Sequence, residues 1–314
     1  MQVHHQLSDT KVLSPTALAV GTFDGVHQGH LELIKALCET AAEKNLQSAV
    51  LTFVDMPLCY FFPNKCPRLL TLAEEKIARF AATGIDHLWI VPFDQTVASQ
   101  EYDVFVKSTL VEKLRMKLLM AGPDFALGKG RRGDLPALQE LGKSLEYEVK
   151  VLSQKYFYKD APVSSTRTRA ALEEGRLQDT NAMLGRNFRF SGEVISGRGW
   201  GKRLGMPTIN IAFPARKVLP APGVYAARAR LDDAIEWLPT ALSIGDNSSV
   251  GGNEISVEFH IIGKSILPPQ TAEVEMVSWY RAQQHFENLD LLAAKMQRDV
   301  EEIAQILTAE ELRA

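Results

Sequence analysis

Two histidines three residues apart, His27 and His30, flank Gly29 in the run Gly21-Thr22-Phe23-Asp24-Gly25-Val26-His27-Gln28-Gly29-His30. Glycines in such a turn let backbone amides approach a phosphate, and the positive end of a following helix favours the anion. Imidazoles at the same place act as donors to charge developing on a nucleotide α-phosphate. The pattern predicts a phosphate site at Gly21, Phe23, Asp24 and Gly29, with His27 and His30 as catalytic donors. A lone histidine at a helix start more simply caps or packs that helix. A His-x-Gly-His run behind an apolar segment, with Phe-Asp-Gly before it, favours the chemical reading.

A second glycine cluster, Gly197, Gly199 and Gly201, leads into Lys202 and Arg203. Its amides could wrap a triphosphate while the cations add charge. An extended Pro-Thr-Ile-Asn-Ile run follows instead of a helix, so this is not a dinucleotide-binding fingerprint. A glycine-rich hairpin alone is more often only a turn. The run Gly122–Gly130 is not a P-loop either: five residues separate Gly122 from Gly128, and Gly130 stands where Ser or Thr is required.

These residues need a scaffold, and the hydrophobic rhythm describes one. Apolar runs at 17–21, 48–53, 87–93, 117–122 and 148–152 predict strands. Amphipathic segments between them predict helices, the first over 30–45 with Leu33, Ile34, Leu37 and Ala41 on one face. Alternating strands and helices imply an α/β domain with a parallel sheet and a ligand at the carboxyl ends of its strands. Beyond about residue 184, the runs 188–196, 223–231, 254–263 and 270–279 are short, β-rich and separated by Gly and Pro. They predict an antiparallel sheet or small barrel. Leu289, Leu292, Met296, Val300, Ile303 and Leu307 then recur at helical spacing. The expected division is 1–183 and 184–314.

Composition bounds the rest. The 314 residues are 46% hydrophobic and 23% charged, as in globular proteins. A formal net charge of −3 argues against a general nucleic-acid binder. No apolar run reaches the roughly 18 residues of a membrane helix, and the N-terminus lacks the order of a secretory signal. Three cysteines without CxxC spacing predict reduced thiols in a cytoplasmic protein.

The segment Gly21–His30 resembles the HxGH nucleotidylyltransferases, and its longer form is similar to their FAD synthetase branch. Gly122–Asp134 resembles that family's GxDFxFGKxxxGD loop, with Leu127 where Phe is usual, and Ser164–Arg169 resembles its ISSTRIR motif. The hydroxyls of Ser164, Ser165 and Thr166 are suited to capping the helix that follows. The resemblance implies that Ser164, Thr166, Arg167 and Arg169 meet ATP phosphates and that Asp124 and Phe125 meet flavin. Further on, Met206–Asn210 resembles the PTAN motif of riboflavin kinases, which implies Mg²⁺ and ATP phosphates at Thr208 and Asn210; oxygen ligands suit that ion. The strand 254–263 resembles the kinases' glutamate strand, with Glu258 at the catalytic position and Glu254 on the same face as its rival. Residues 278–299 resemble the family's closing segment, which places Arg281 and Phe286 against flavin.

The whole chain thus resembles the prokaryotic bifunctional riboflavin kinase/FMN adenylyltransferases. The resemblance implies an HxGH nucleotidylyltransferase-like parallel-sheet domain and a riboflavin kinase-like β-barrel with a terminal helix. The implied ligands are ATP, riboflavin, FMN and Mg²⁺, with neither nucleic acid nor membrane as partner. Two motifs depart from the family. Met56 stands where FxPHP has its histidine, and Ser243–Val250 lacks the RPTF part of NIGxRPTF. These departures leave two alternatives: a kinase with a degenerate adenylyltransferase half, or a flavin-binding regulator without catalysis.

Overall fold

The computed structural model describes residues 1–7, 14–153, 155–197, 199–246 and 255–312. It forms two compact units, Met1–Ser165 and Thr166–Ala314.

The first unit is built on six parallel strands in the order β1-β4-β3-β2-β5-β8. They are β1 (Gln2–His4), β2 (Thr16–Val20), β3 (Gln47–Phe53), β4 (His87–Val91), β5 (Met116–Ala121) and β8 (Glu148–Val151). Two short hairpins, β6 (Ala126–Leu127) with β7 (Gly133–Asp134) and β9 (Phe157–Tyr158) with β10 (Ala161–Pro162), decorate the connections. The helices are α1 (Gln28–Glu43), α2 (Pro57–Phe61), α3 (Ala73–Ala81), α4 (Gln95–Ala98), α5 (Tyr102–Phe105) and α6 (Leu135–Leu145).

Side-chain alternation explains why 17–20 of β2 and 49–51 of β3 are continuously apolar, with a core on each face. Leu18, Val20 and Leu51 enter one core with Trp89, Phe105 and Leu138. Ala17, Ala19 and Val50 enter the other, with Ile34, Leu37 and Ala41 of α1 and Phe80 of α3. The five expected strands are present. Strand β1 is an addition at the sheet edge, paired in parallel with β4.

The cysteine expectation is corrected. Cys59 and Cys66 form a disulfide, with Cα atoms 4.4 Å apart, and Cys38 alone is free. An odd cysteine count cannot reveal a turn that brings residues 59 and 66 together.

The second unit begins with α7 (Ser165–Glu173) and α8 (Leu177–Leu184) and continues as a closed antiparallel barrel, β11-β12-β15-β14-β13-β16. Its strands are β11 (Phe188–Ile195), β12 (Ile209–Ile211), β13 (Gly223–Leu231), β14 (Leu238–Asp246), β15 (Ile255–Ile261) and β16 (Thr271–Arg281). The glycine-rich connection contains a short helix, α9 (Trp200–Arg203), and α10 (Leu289–Glu311) closes the unit. Ile303 and Leu307 of α10 pack on Val224, Ala226 and Val277 of the barrel. Among the described residues no helix is long and apolar enough to cross a membrane. Glu254 and the side chain of Lys202 lie outside what the structure describes.

Candidate active sites

In the first unit the histidine run forms the turn from β2 into α1. His27 is the N-cap of α1, and its Nδ1 accepts from the backbone N–H of His30 at 3.3 Å. That bond leaves Nε2 as the proton-bearing nitrogen of the neutral ring. The two imidazoles stack with centroids 3.6 Å apart, and Phe23 meets His30 edge-on at 5.0 Å. Capping and chemistry are therefore not rivals here: the cap orients the ring. Phe23 and Val26 have φ of 46° and 40°. Bulky residues in the left-handed region carry local strain, a feature that clusters at functional sites.

Gly21, Phe23, His27, Gly29, His30, Asp124, Phe125 and Ser164 line one cavity of about 410 Å³. A second cavity of about 730 Å³ shares Gly21, Asp124 and Phe125 with it and adds an aromatic wall of Phe53, Phe61, Phe62 and Phe93. A cavity with paired imidazoles thus adjoins a larger one walled by phenylalanines. Asp124 Oδ2 accepts from Lys155 Nζ at 2.7 Å on the exposed rim.

Asp24 does not line either cavity. Its buried carboxylate accepts from the amides of Leu70 (2.9 Å) and Thr71 (3.1 Å), and its carbonyl accepts from Ser165 Oγ at 2.7 Å. It braces the turn from behind. Thr166, Arg167 and Arg169 fall beyond Ser165, on the first turns of α7 in the second unit, where Arg169 is buried.

Sequence reasoning missed Lys76. Its ammonium is buried and donates to the carbonyls of Thr22 (2.9 Å) and Phe53 (2.8 Å), joining the histidine turn to the end of β3. Burial lowers its pKa to about 8, against the opposing pull of Asp24 and Asp55. Burial, with help from His27 and Lys76, also holds His30 well below the ordinary imidazole range. The available signal was a lysine four residues before Phe80, on the face that α3 buries.

In the second unit Glu258 lies in the middle of β15, opposite Asn210 of β12 and Ser243 of β14. Thr208 Oγ1 donates to Glu258 Oε2 at 3.0 Å. Burial raises the Glu258 pKa, and the Thr208 bond partly offsets this. Glu258, Gly201, Thr208, Arg281 and Phe286 line a cavity of about 340 Å³ beneath α10. Arg281 is held there by Asp299, whose Oδ2 accepts from Nε at 2.9 Å.

Gly197, Gly199, Thr208 and Asn210 line a second cavity of about 500 Å³, together with Lys264 and Ile266. Thr208 and His260 border both cavities. The glycines are sterically required: a Cβ on Gly197 would lie 2.1 Å from Asn210 Nδ2, and one on Gly201 would lie 2.4 Å from the carbonyl of Met206. The loop cavity therefore meets the cavity beneath α10 at Thr208 and His260, beside the half-buried Glu258 carboxylate.

A parallel-sheet unit with an HxGH turn, followed by a six-stranded barrel with a half-buried glutamate, defines a two-domain flavin-nucleotide transferase. Residues 9–167 match the family model for FAD synthetase, and residues 184–307 match that for riboflavin kinase. The chain belongs to the bifunctional riboflavin kinase/FMN adenylyltransferase family. It is 35% identical to the Escherichia coli K12 member over 284 residues, 90% of each chain. The Haemophilus influenzae member is also 35% identical, over 93% of this chain and 94% of its own. The Listeria monocytogenes member is 31% identical over 90% and 89%. A crystal structure from Streptococcus pneumoniae, described as a macrolide-efflux protein, has a TM-score of 0.84. That match covers 96% of this chain and 97% of the other at 24% identity, which shows a common fold.

Proposed function

We propose that this chain phosphorylates riboflavin in its barrel unit and adenylylates FMN in its parallel-sheet unit. The observation that carries the kinase reading is the Thr208–Glu258 hydrogen bond, at one of the two residues that both barrel cavities share. Flavin would occupy the apolar cavity bordered by Arg281 and Phe286, and ATP the glycine-loop cavity. Glu258 accepts the proton of the riboflavin 5′-hydroxyl as that oxygen attacks the γ-phosphate, and ADP leaves. Burial raises the carboxylate's proton affinity, which suits a general base working near neutrality.

The donor set fits Mg²⁺. Thr208 gives its one hydrogen to Glu258, so its oxygen lone pairs face no competing donor bond of their own, and Asn210 adds an amide oxygen. These two side chains would hold the ion, which supplies charge neutralisation for the triphosphate when bound.

In the first unit FMN would lie along the aromatic wall with its phosphate toward His27 and His30. The FMN phosphate oxygen attacks the ATP α-phosphate, and pyrophosphate leaves. His27, oriented by its cap bond, donates through Nε2 to the charge that develops, and His30 contributes the second ring. Gly21 and Gly29 let backbone amides approach the phosphates. Arg167, Arg169, Ser164 and Thr166 are the phosphate contacts implied by the resemblance, and Lys202 has that role in the barrel loop.

A chromatographic assay of riboflavin, ATP and Mg²⁺ tests both halves. The wild type is expected to accumulate FMN and then FAD. Glu258→Gln should abolish the first product while still converting added FMN to FAD, and His30→Ala should stop only the second. FMN without FAD would leave a kinase alone; neither product, with flavin still bound, would leave a binding protein.

A further inference from the structure

Phe53 and Phe93 of the aromatic wall are anchored at the core, but its outer part, Phe61 and Phe62, has little of its own to hold it in place. Helix α2 and the 3₁₀ turn Pro63–Lys65 bury no residue. Leu58, Phe61 and Phe62, which face the larger cavity, are 45%, 51% and 54% exposed. Its backbone hydrogen bonds include the local ones Cys59 N to Met56 O, Phe62 N to Leu58 O, Lys65 N to Phe62 O and Cys66 N to Pro63 O. A five-residue helix is marginal without packing or a covalent constraint. Outward contact comes from Tyr60 and Phe61 meeting Phe93 edge-on, each at 5.9 Å. The Cys59–Cys66 disulfide closes this stretch into a loop, and both sulfur-bearing residues are half-buried, within reach of solvent.

We infer that Cys59 and Cys66 are a positioning pair for the adenylyl-transfer reaction: their disulfide holds Phe61 and Phe62 as a formed wall for FMN, so FAD synthesis depends on thiol redox state and FMN synthesis does not. The inference rests on the reading that the larger cavity of this unit takes FMN. A disulfide works here by limiting the conformations the open loop can explore. A wall that is already formed spares FMN the cost of ordering it. Opening the bond requires a dithiol. Its thiolate attacks one sulfur to give a mixed disulfide, and its second thiol displaces the remaining cysteine. The dithiol becomes a cyclic disulfide, while Cys59 and Cys66 take up two electrons and two protons. Nothing in this step touches His27, His30 or the barrel.

The test compares air-oxidised protein, dithiothreitol-treated protein and a Cys59→Ser/Cys66→Ser variant. Thiol titration under denaturing conditions should count one thiol in the oxidised form, from Cys38, and three after reduction. Reduction should raise the KM for FMN in FAD formation about tenfold, with a smaller change in kcat, because the lost quantity is preorganisation. The double-serine variant should match the reduced enzyme and ignore dithiothreitol, and riboflavin phosphorylation should be the same in all three. Three thiols in the oxidised protein, or one KM for FMN across all forms, would overturn the inference. If no form makes FAD, the adenylyltransferase reading fails instead. Hydrogen exchange over residues 56–66 then decides the staple: faster exchange on reduction supports it, and unchanged exchange overturns it.

Discussion

The two units position their chemistry by opposite means. In the barrel the reacting carboxylate sits on a strand, and register fixes it: Glu258 opposes Asn210 on one side and Ser243 on the other. In the parallel sheet every candidate group lies beyond a strand end. His27 and His30 hang on a turn with two bulky residues at positive φ, and Phe61 and Phe62 of the aromatic wall sit in a disulfide-closed loop. A strand-borne site is rigid through its hydrogen-bond ladder. A loop-borne site needs separate braces, here Asp24 on the amides of Leu70 and Thr71, and Lys76 on two carbonyls. The barrel site should therefore fail through its reacting group, and the sheet site through its supports.

The largest expected effect follows from the strand-borne base. Glu258→Gln keeps the shape and the Thr208 donor but removes the proton acceptor, and should lower kcat for FMN formation by about 100- to 10,000-fold. Retention of rate within a few-fold would move the base elsewhere, with Glu254 as the next residue to change.

A smaller but sharper effect is expected at a brace. Lys76→Met should lower FAD formation about 100-fold by letting the histidine turn drift from the end of β3, while FMN formation is unchanged. Because the Lys76 pKa is lowered to about 8, its ammonium is lost as pH rises through that value. FAD formation should decline there, and the decline should be absent from the FMN profile. A common alkaline limb for both reactions would break the contrast between the units.

The smallest effect is on tuning. Thr208→Val removes the hydrogen bond that lowers the Glu258 pKa, so burial raises it unopposed; because it also removes an oxygen proposed for Mg²⁺, the profile is read at saturating Mg²⁺. The base form then persists only at higher pH, and the acid limb of the FMN-formation profile should move upward. The rate at neutral pH should fall about tenfold, the order of a hydrogen bond to a charged group. An acid limb that stays in place would detach that limb from Glu258.

Much of this organisation is legible in the sequence because it rests on periodicity. Five apolar runs announced the parallel sheet, and the His-x-Gly-His spacing marked the turn after the first of them. Strand β1 has only three residues, too few to show a period. Strand β14, Leu-Pro-Thr-Ala-Leu-Ser-Ile-Gly-Asp, carries a proline and a glycine that read as breakers but are accommodated in the closed barrel. The supports were the hardest to read. Asp24 stands in the glycine-containing histidine run expected to meet phosphate, and its carboxylate turns inward to two amides 46 and 47 residues away in sequence. Lys76 carried no expectation, because only tertiary packing buries its face of α3, and the Cys59–Cys66 bond depends on a local turn. Reacting groups announce themselves by type and spacing; the groups that hold them in place are fixed by tertiary contact.

The central claim, two separate active sites in one chain, is tested most directly by mixing two variants. Glu258→Gln and His30→Ala proteins are each given riboflavin, ATP and Mg²⁺ alone, then combined. Separately, the first should make neither product and the second FMN alone; together they should make FAD from riboflavin, because each supplies the half the other lacks. A mixture that stops at FMN, or a Glu258→Gln protein that cannot convert added FMN, would contradict the assignment of separate sites.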